Sequence, residues 1–347
     1  MRAVRIHRHG GPEELVLEDA PDPAMGPTDV LVAIRAVALN HIDLWVRRGL
    51  PRLRLTFPHI LGADIAGVVE AAGEAVRGVR PGDEVVLSPG VSCGQCAACT
   101  AGDDTLCETY SILGEHIPGG YAERIAVPAV NVLPKPARLS FEEAAAVPLV
   151  FLTAWNMLVT HARLRSGETV LIWGAGSGVG SAAIQIARLY HARVIATAGA
   201  DWKLERARAL GAEAVVNHST EDVYEAVRRL TDRRGVDVVF DHVGAASWET
   251  SLRVLARGGR LVTCGATTGA QAPTDIRYIY GRQLSIFGTW VGAKRELLEV
   301  MVHVEAGRLD PVVHAVLPLA EARAAHEMLE RREQFGKVVL AVSEAGA

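Results

Sequence analysis

The 347-residue chain is short of the features that mark unusual proteins. Five cysteines are too few for a disulfide-stapled secreted fold. Only four residues are lysine (Lys135, Lys203, Lys294 and Lys337), so arginine carries nearly all the positive charge. With 36 basic against 40 acidic residues the net charge is −4. Nucleic-acid binding, which needs a basic surface to neutralise phosphates, is not expected. Long hydrophobic runs are also missing. The longest, Ala144 to Val159, is interrupted by Pro148, Thr153 and Asn156. It falls below the roughly 20 apolar residues that span a bilayer, so no membrane helix is expected. Met1-Arg2-Ala3-Val4-Arg5 runs into strand-like alternation without a hydrophobic leader, which favours a cytoplasmic, reducing location. What is present in quantity is apolar content, 49%, together with 34 glycines, which excludes disorder. A chain of this length exceeds the size of one core, and about two domains are expected.

Up to about Val132 short β-type runs alternate with glycine and proline, as in Asp29-Val-Leu-Val-Ala-Ile-Arg-Ala-Val and Asp83-Glu-Val-Val-Leu. Pro-Gly and Gly-Asp pairs mark turns because proline presets φ and glycine accepts positive φ. This part reads as a mostly antiparallel β region. Ser140-Phe-Glu-Glu143 then opens a helix through a capping box. From 152 to 290 short buried strands alternate with helices, beginning with Thr169-Val-Leu-Ile-Trp. That rhythm predicts an α/β, doubly wound parallel sheet of the Rossmann kind. Beyond it, Glu296 to Gly307 and Leu319 to Arg332 read as helical, and Lys337-Val-Val-Leu-Ala-Val as a last strand.

Gly174-Ala-Gly176-Ser-Gly178-Val-Gly180 joins a predicted strand to a helix. Absent side chains let a backbone approach a pyrophosphate, and the helix N-terminus offers free N–H groups. No register gives a full G-x-G-x-x-G, and a purely structural glycine turn is the alternative. Gly176, Ser177, Gly178, Val179 and Gly180 are the expected dinucleotide contacts. The second strand ends Ala196-Thr-Ala198-Gly199 with no carboxylate before Asp201. An acid there would select NAD, so NADPH is the expected cofactor, with NADH the other candidate. Ala198 would line the ribose site. Lys203 would pair with the 2′-phosphate or else stand as an exposed helix residue.

Cys93-Gly-Gln-Cys96-Ala-Ala-Cys99 and Cys107 have the spacing C-x2-C-x2-C-x7-C. Two-residue gaps let a tight loop aim successive thiolates at one tetrahedral centre. A reducing compartment argues against disulfides, and the last gap differs from that of ferredoxin clusters. One structural zinc per chain is expected, holding a lobe over 92–109. Cys264 is left as a small core or cofactor-facing residue.

These features together resemble the medium-chain dehydrogenase/reductase superfamily, in its zinc-type alcohol dehydrogenase and quinone oxidoreductase branches. The resemblance rests most on Leu61-Gly62-Ala63-Asp64-Ile65-Ala66-Gly67 with Pro81-Gly82-Asp83-Glu84-Val85, and on Leu39-Asn40-His41-Ile42-Asp43-Leu44-Trp45. It implies a β-rich GroES-like catalytic domain (1–151), an inserted cofactor domain (152–290) and a C-terminal return to the catalytic domain (291–347). It also implies that Thr153 lies near the nicotinamide and Lys337 near the pyrophosphate. His242, Val243, Gly265 and Ala266 would run along the ribose side. A homodimer or homotetramer would form through the edge segment Leu284-Ser-Ile-Phe-Gly-Thr.

The departures point to the chemistry. In zinc alcohol dehydrogenases the catalytic metal is held by a cysteine where this chain has Asn40 and by a histidine where it has Ala63. The third ligand falls near Leu149. Asp43 and Asp64 match carboxylates that buttress the ligands, which cannot hold zinc alone. The resemblance then implies a reductase without catalytic zinc, passing hydride from the nicotinamide to a quinone or α,β-unsaturated carbonyl. Asn40 would meet the developing oxyanion or else bind the nicotinamide ribose, and His41 or water would supply a proton. Two alternatives stand beside it. One is an alcohol dehydrogenase acting on alcohols, aldehydes or ketones through an unusual metal site built from His41, His59 and His116. The other is an NADPH-binding structural or sensor protein without turnover.

Overall fold

The computed structural model describes residues 1–51 and 53–342. The chain forms two compact units. The first comprises Met1–Leu149, Ala293–Glu305 and the segment from Asp310 onward; the second comprises Val150–Gly292 and Ala306–Leu309.

The first unit is built on a seven-stranded sheet. Its spatial order is Val132–Pro134, Glu84–Leu87, Asp64–Ala72, Asp29–Ala38, Lys337–Ala341 and Val313–Pro318, with Arg124–Pro128 also paired to Asp29–Ala38. In Asp29–Ala38 every second residue is buried along most of its length, as a strand with one face on a core requires. Val30, Val32, Ile34 and Val37 enter that core with Ile65, Val69, Val338 and Leu340. Lys337–Ala341 runs antiparallel to Asp29–Ala38, so a strand late in the chain closes onto one of the earliest. A helix, His41–Arg48, follows directly from Asp29–Ala38. Asn40 is its N-cap, and its backbone N–H donates to the Asp43 carboxylate at 2.7 Å. Gly49, at φ +97, ends the helix in a region where a side chain would be strained.

The second unit is a six-stranded, wholly parallel sheet in the order Ala214–Asn217, Arg193–Ala198, Thr169–Ile172, Val236–Asp241, Leu255–Thr263, Ser285–Gly288. Numbered along the chain this is 3-2-1-4-5-6, the doubly wound order of dinucleotide-binding sheets and the fold class expected from the strand–helix rhythm. Thr169–Ile172 is buried throughout, as a central parallel strand must be. Gly178–Leu189, Asp201–Leu210, Val223–Leu230, Ala245–Val254 and Ile276–Arg282 supply the helices.

One helical run differs from expectation. Phe141–His161 is long and apolar enough by length and composition to cross a bilayer, because Pro148 begins a new helical segment instead of ending the run. Its most apolar window is 78% buried inside the fold, which makes it a core element here.

Candidate active site and metal centre

The cysteine lobe assembles the four sulfurs expected to act together. Cys93, Cys96, Cys99 and Cys107 place their Sγ atoms within 4.8 Å of one another. Cys93 and Cys99 are 3.9 Å apart, and Cys96 and Cys99 3.5 Å. A tetrahedral zinc with Zn–S of about 2.3 Å needs sulfurs about 3.8 Å apart, so the donor set fits the ion. The Cys93 N–H donates to Cys107 Sγ at 3.4 Å, and that amide with the Thr109 hydroxyl draws the Cys107 thiol down to about 6. Lys294, which no local motif marks, ties the lobe down. Its N–H donates to Asp104 Oδ1 at 3.0 Å and its ammonium to Asn131 Oδ1 at 3.2 Å. Among the described residues no other group of three or more histidine, cysteine or carboxylate donors comes this close. His41, His59 and His116 are not gathered. His59 Nε2 lies 3.1 Å from the Gly114 carbonyl, and His116 Nδ1 accepts from the Ile112 N–H. His41 packs edge-on to Trp45.

In the second unit the glycine-rich turn joins the strand Thr169–Ile172 to the helix Gly178–Leu189. Ser177 caps the helix Gly178–Leu189 and accepts from the Gly180 N–H at 2.9 Å. A Cβ on Gly180 would sit 2.4 Å from the Gly174 carbonyl oxygen, so the turn closes this tightly only with glycine there. His242 Nε2 lies 3.1 Å from Ser177 Oγ and 3.0 Å from the Trp173 carbonyl. Burial lowers the His242 pKa and keeps the ring neutral. Gly176, Ser177, Gly178, Val179 and Gly180 thus run through the turn into the first helical residues, with His242 set against Ser177. Val243 is held beside Thr268, whose N–H donates to its carbonyl at 2.8 Å, and Gly244 lies against Ala266. This brings Val243 to the loop that carries Gly265 and Ala266. Ala198 ends its strand. The ammonium of Lys203 lies 5.2 Å from the centre of the Trp202 ring. Asp201, the first acid after that strand, accepts from Asn217 Nδ2 at 2.7 Å. Thr153 is buried with a hydroxyl that has no hydrogen-bond partner among the described residues. Asp241 was not singled out in the sequence. It is fully buried, and its carboxylate accepts from Ser247, Ser251, Val243 and Gly244, bracing the turn that follows its strand.

The first unit holds a buried polar core around Asn40. Asp64 Oδ2 accepts from Lys337 Nζ at 2.7 Å and from Asn40 Nδ2 at 2.9 Å, while Asp64 Oδ1 accepts from the Leu149 N–H at 2.7 Å. Lys337 Nζ also donates to Asn40 Oδ1 at 2.6 Å. Asp64 is fully buried and Lys337 only 3% exposed. Asn40 and Asp64 are thus drawn round one ammonium, and Leu149 is tied in through Asp64, the neighbour of Ala63. These are the positions where the resemblance puts three metal ligands and a carboxylate that supports them. No histidine or cysteine takes part, and the one carboxylate is neutralised by Lys337, so a catalytic zinc does not fit this donor set. Asp43 joins from the side, accepting from Asn40 N–H at 2.7 Å and Gly62 N–H at 3.1 Å. Burial raises its pKa to about 6. Lys337, expected near the pyrophosphate, has its charge engaged here.

Two family models match the chain: an alcohol dehydrogenase GroES-like domain over 26–137 and a zinc-binding dehydrogenase domain over 178–306. The NAD-dependent alcohol dehydrogenase of Sulfolobus acidocaldarius is 34% identical across 99% of this chain and 100% of its own. The chain belongs to the medium-chain dehydrogenase/reductase superfamily. The quinone oxidoreductase of Sus scrofa is 30% identical across 98% of this chain and 97% of its own. A crystal structure described as an NAD-dependent alcohol dehydrogenase superposes with a TM-score of 0.96 at 51% identity, covering 99% of this chain and all of that one. As a member of this superfamily the protein is an NAD(P)-dependent oxidoreductase, acting on small molecules.

Proposed function

We infer that the enzyme is an NADPH-dependent reductase of quinones or α,β-unsaturated carbonyls, with one zinc in the cysteine lobe and none at the reacting centre. The observation that carries this reading is the Asp64–Lys337 pair among the residues that replace metal ligands. Bound nicotinamide supplies the hydride; the protein has to orient the acceptor and meet the charge that develops on its oxygen. An ammonium has three protons and no lone pair. Lys337 gives two of its protons to Asn40 and Asp64, and the third is the donor we assign to the oxyanion. The Asn40 amide is engaged by Asp64 and by the Ala38 carbonyl, so its part is to orient Lys337. His41, at the first position of the same helix, or water returns the proton. A conjugated acceptor spreads the charge that a simple ketone would localise, which suits an ammonium in place of a divalent ion.

The carboxylate of Asp201 is engaged by Asn217, and Lys203 offers the positive charge beside that strand end, which supports NADPH. The exposed edge strand Ser285–Gly288, at the end of the parallel sheet, supports a homodimer or homotetramer, and the convergence of four cysteines in metal-ligand geometry supports a cytoplasmic location. A second reading, an NAD-dependent alcohol dehydrogenase, is favoured by the 51% identity to a structure so described. Metal analysis of purified protein, with turnover measured on quinones, enones and simple alcohols, tests the two. Close to one zinc per chain and oxidation of NADPH by quinones or enones is the expected result. Close to two zinc, or alcohol oxidation with a clear NAD preference in kcat/KM, overturns it; no turnover on any of them points to a sensor.

A further inference from the structure

A second line of buried polar side chains leads away from Asn40. Arg47, on the helix that Asn40 caps, places its guanidinium 2.9 Å from His326 Nδ1 and pairs with Glu330. His326 Nε2 lies 3.0 Å from the Tyr121 hydroxyl, which lies 3.3 Å from Asp43 Oδ2. Arg47, Tyr121 and His326 are all completely buried. Gly62 sits beside this line at φ +98, where a Cβ would stand 2.5 Å from the Tyr121 ring. Its N–H is therefore free to reach Asp43 only because it is glycine.

The direction of each hydrogen bond follows from the donor inventory. A guanidinium can only donate, so His326 Nδ1 accepts. A neutral imidazole then carries its proton on Nε2 and donates it to the Tyr121 oxygen. Burial, with the charges of Arg47 and Arg48, holds His326 neutral. Tyr121 keeps its own proton to give to Asp43. Because Arg47 cannot release a proton, the line does not conduct protons from the surface; it sets their orientation.

We propose that Arg47, His326 and Tyr121 are positioning residues, which present Asp43 with a donor of fixed direction and so keep its carboxylate ionised on the Asn40 and Gly62 amides. This rests on the reading of the Asn40–Asp64–Lys337 core as the reacting centre. Ionised, Asp43 accepts from three donors. Protonated, it would set its own proton against one of them, and the N-cap that orients Asn40 would loosen. The groups that face Asp43 from the surrounding elements are Lys337 and Asp64 on their strands, Glu115 on its turn, and Tyr121 with Arg47 behind it. Lys337 favours the ionised form; Asp64, Glu115 and burial oppose it. Removing the Tyr121 donor therefore moves the titration of Asp43 upward.

The test follows the backbone amide shifts of Asn40 and Gly62 by 15N NMR from pH 4.5 to 8, beside the acid limb of kcat/KM. The variants are Tyr121→Phe, His326→Leu and His326→Gln. Glutamine restores the polarity, its oxygen accepting from Arg47 and its NH2 donating to Tyr121. In the native protein both titrations are expected to fall near pH 6. Tyr121→Phe and His326→Leu should each raise both midpoints by about half to one pH unit. They should also lower kcat about tenfold with KM little changed, and His326→Gln should return both towards native. Native midpoints in folded Y121F and H326L overturn the proposal. The amide titration needs no substrate, so its result stands apart from the activity. A shifted amide midpoint beside an unmoved kinetic limb supports the positioning and overturns the assignment of this core to turnover.

Discussion

The cysteine lobe and the Asn40 core are the two places where the superfamily pattern puts metal, and this chain equips them in opposite ways. In the lobe four soft donors converge within 4.8 Å without a cation of their own. In the core one carboxylate and one amide converge on a lysine that is itself the cation. A site that carries its own positive charge has no need of a divalent ion and leaves no anionic donor set to attract one. On the proposed function, zinc would be kept in the lobe and dispensed with in the core through a change of three residue types, while the fold stays that of the superfamily.

The comparison breaks most sharply at Lys337. Replacing it with methionine strands Asp64 as a buried, unpaired charge. About 3–5 kcal/mol of stability in urea denaturation is expected to be lost, with turnover abolished. The double variant Asp64→Asn/Lys337→Met, which removes both charges, should recover most of the stability and none of the turnover. Chelation comes next. Stripping metal should make 92–109 sensitive to limited proteolysis, while NADPH binding, read by fluorescence, persists because the glycine-rich turn proposed to hold the cofactor lies in the other unit. The smallest effect is expected at Glu115, whose buried carboxyl is pushed up to about 7 by burial and the charge of Asp43. A raised folded-state pKa adds stability that is full below the unfolded value, near 4.5, and is lost as pH rises through about 7. Glu115→Gln, neutral at every pH, should raise Tm by a few degrees at pH 8 and leave it unchanged below about pH 4.

The parallel sheet and the cysteine lobe were legible in the sequence because each is written in local spacing. The turn Gly174–Gly180 and C-x2-C-x2-C-x7-C need only neighbouring residues to be understood. The polar core was legible only in part. Resemblance picked out Asn40, Asp43 and Asp64 and the loss of ligands at Ala63 and Leu149. It gave Lys337 a role at the pyrophosphate, whereas the structure engages it with a carboxylate 273 residues earlier. Arg47 and His326 are 279 residues apart, and Tyr121 and His326 205. No periodicity links such positions; they meet because the strand Lys337–Ala341 and the helix Ala322–Glu330 return to the first unit. Asp241 escaped notice for a simpler reason. An acid ending a parallel strand looks like a solvent-facing one until its serine partners are seen.

The late closure of that sheet sets an order of events during synthesis. Asp64 leaves the ribosome long before Lys337, and the whole parallel-sheet unit is made between them. The second unit can settle while the first still lacks the strand and the cation that complete it. The Asn40–Asp64–Lys337 core is therefore assembled last, and on the proposed function a chain that has already built its parallel-sheet unit would stay chemically silent until the strand Lys337–Ala341 arrives.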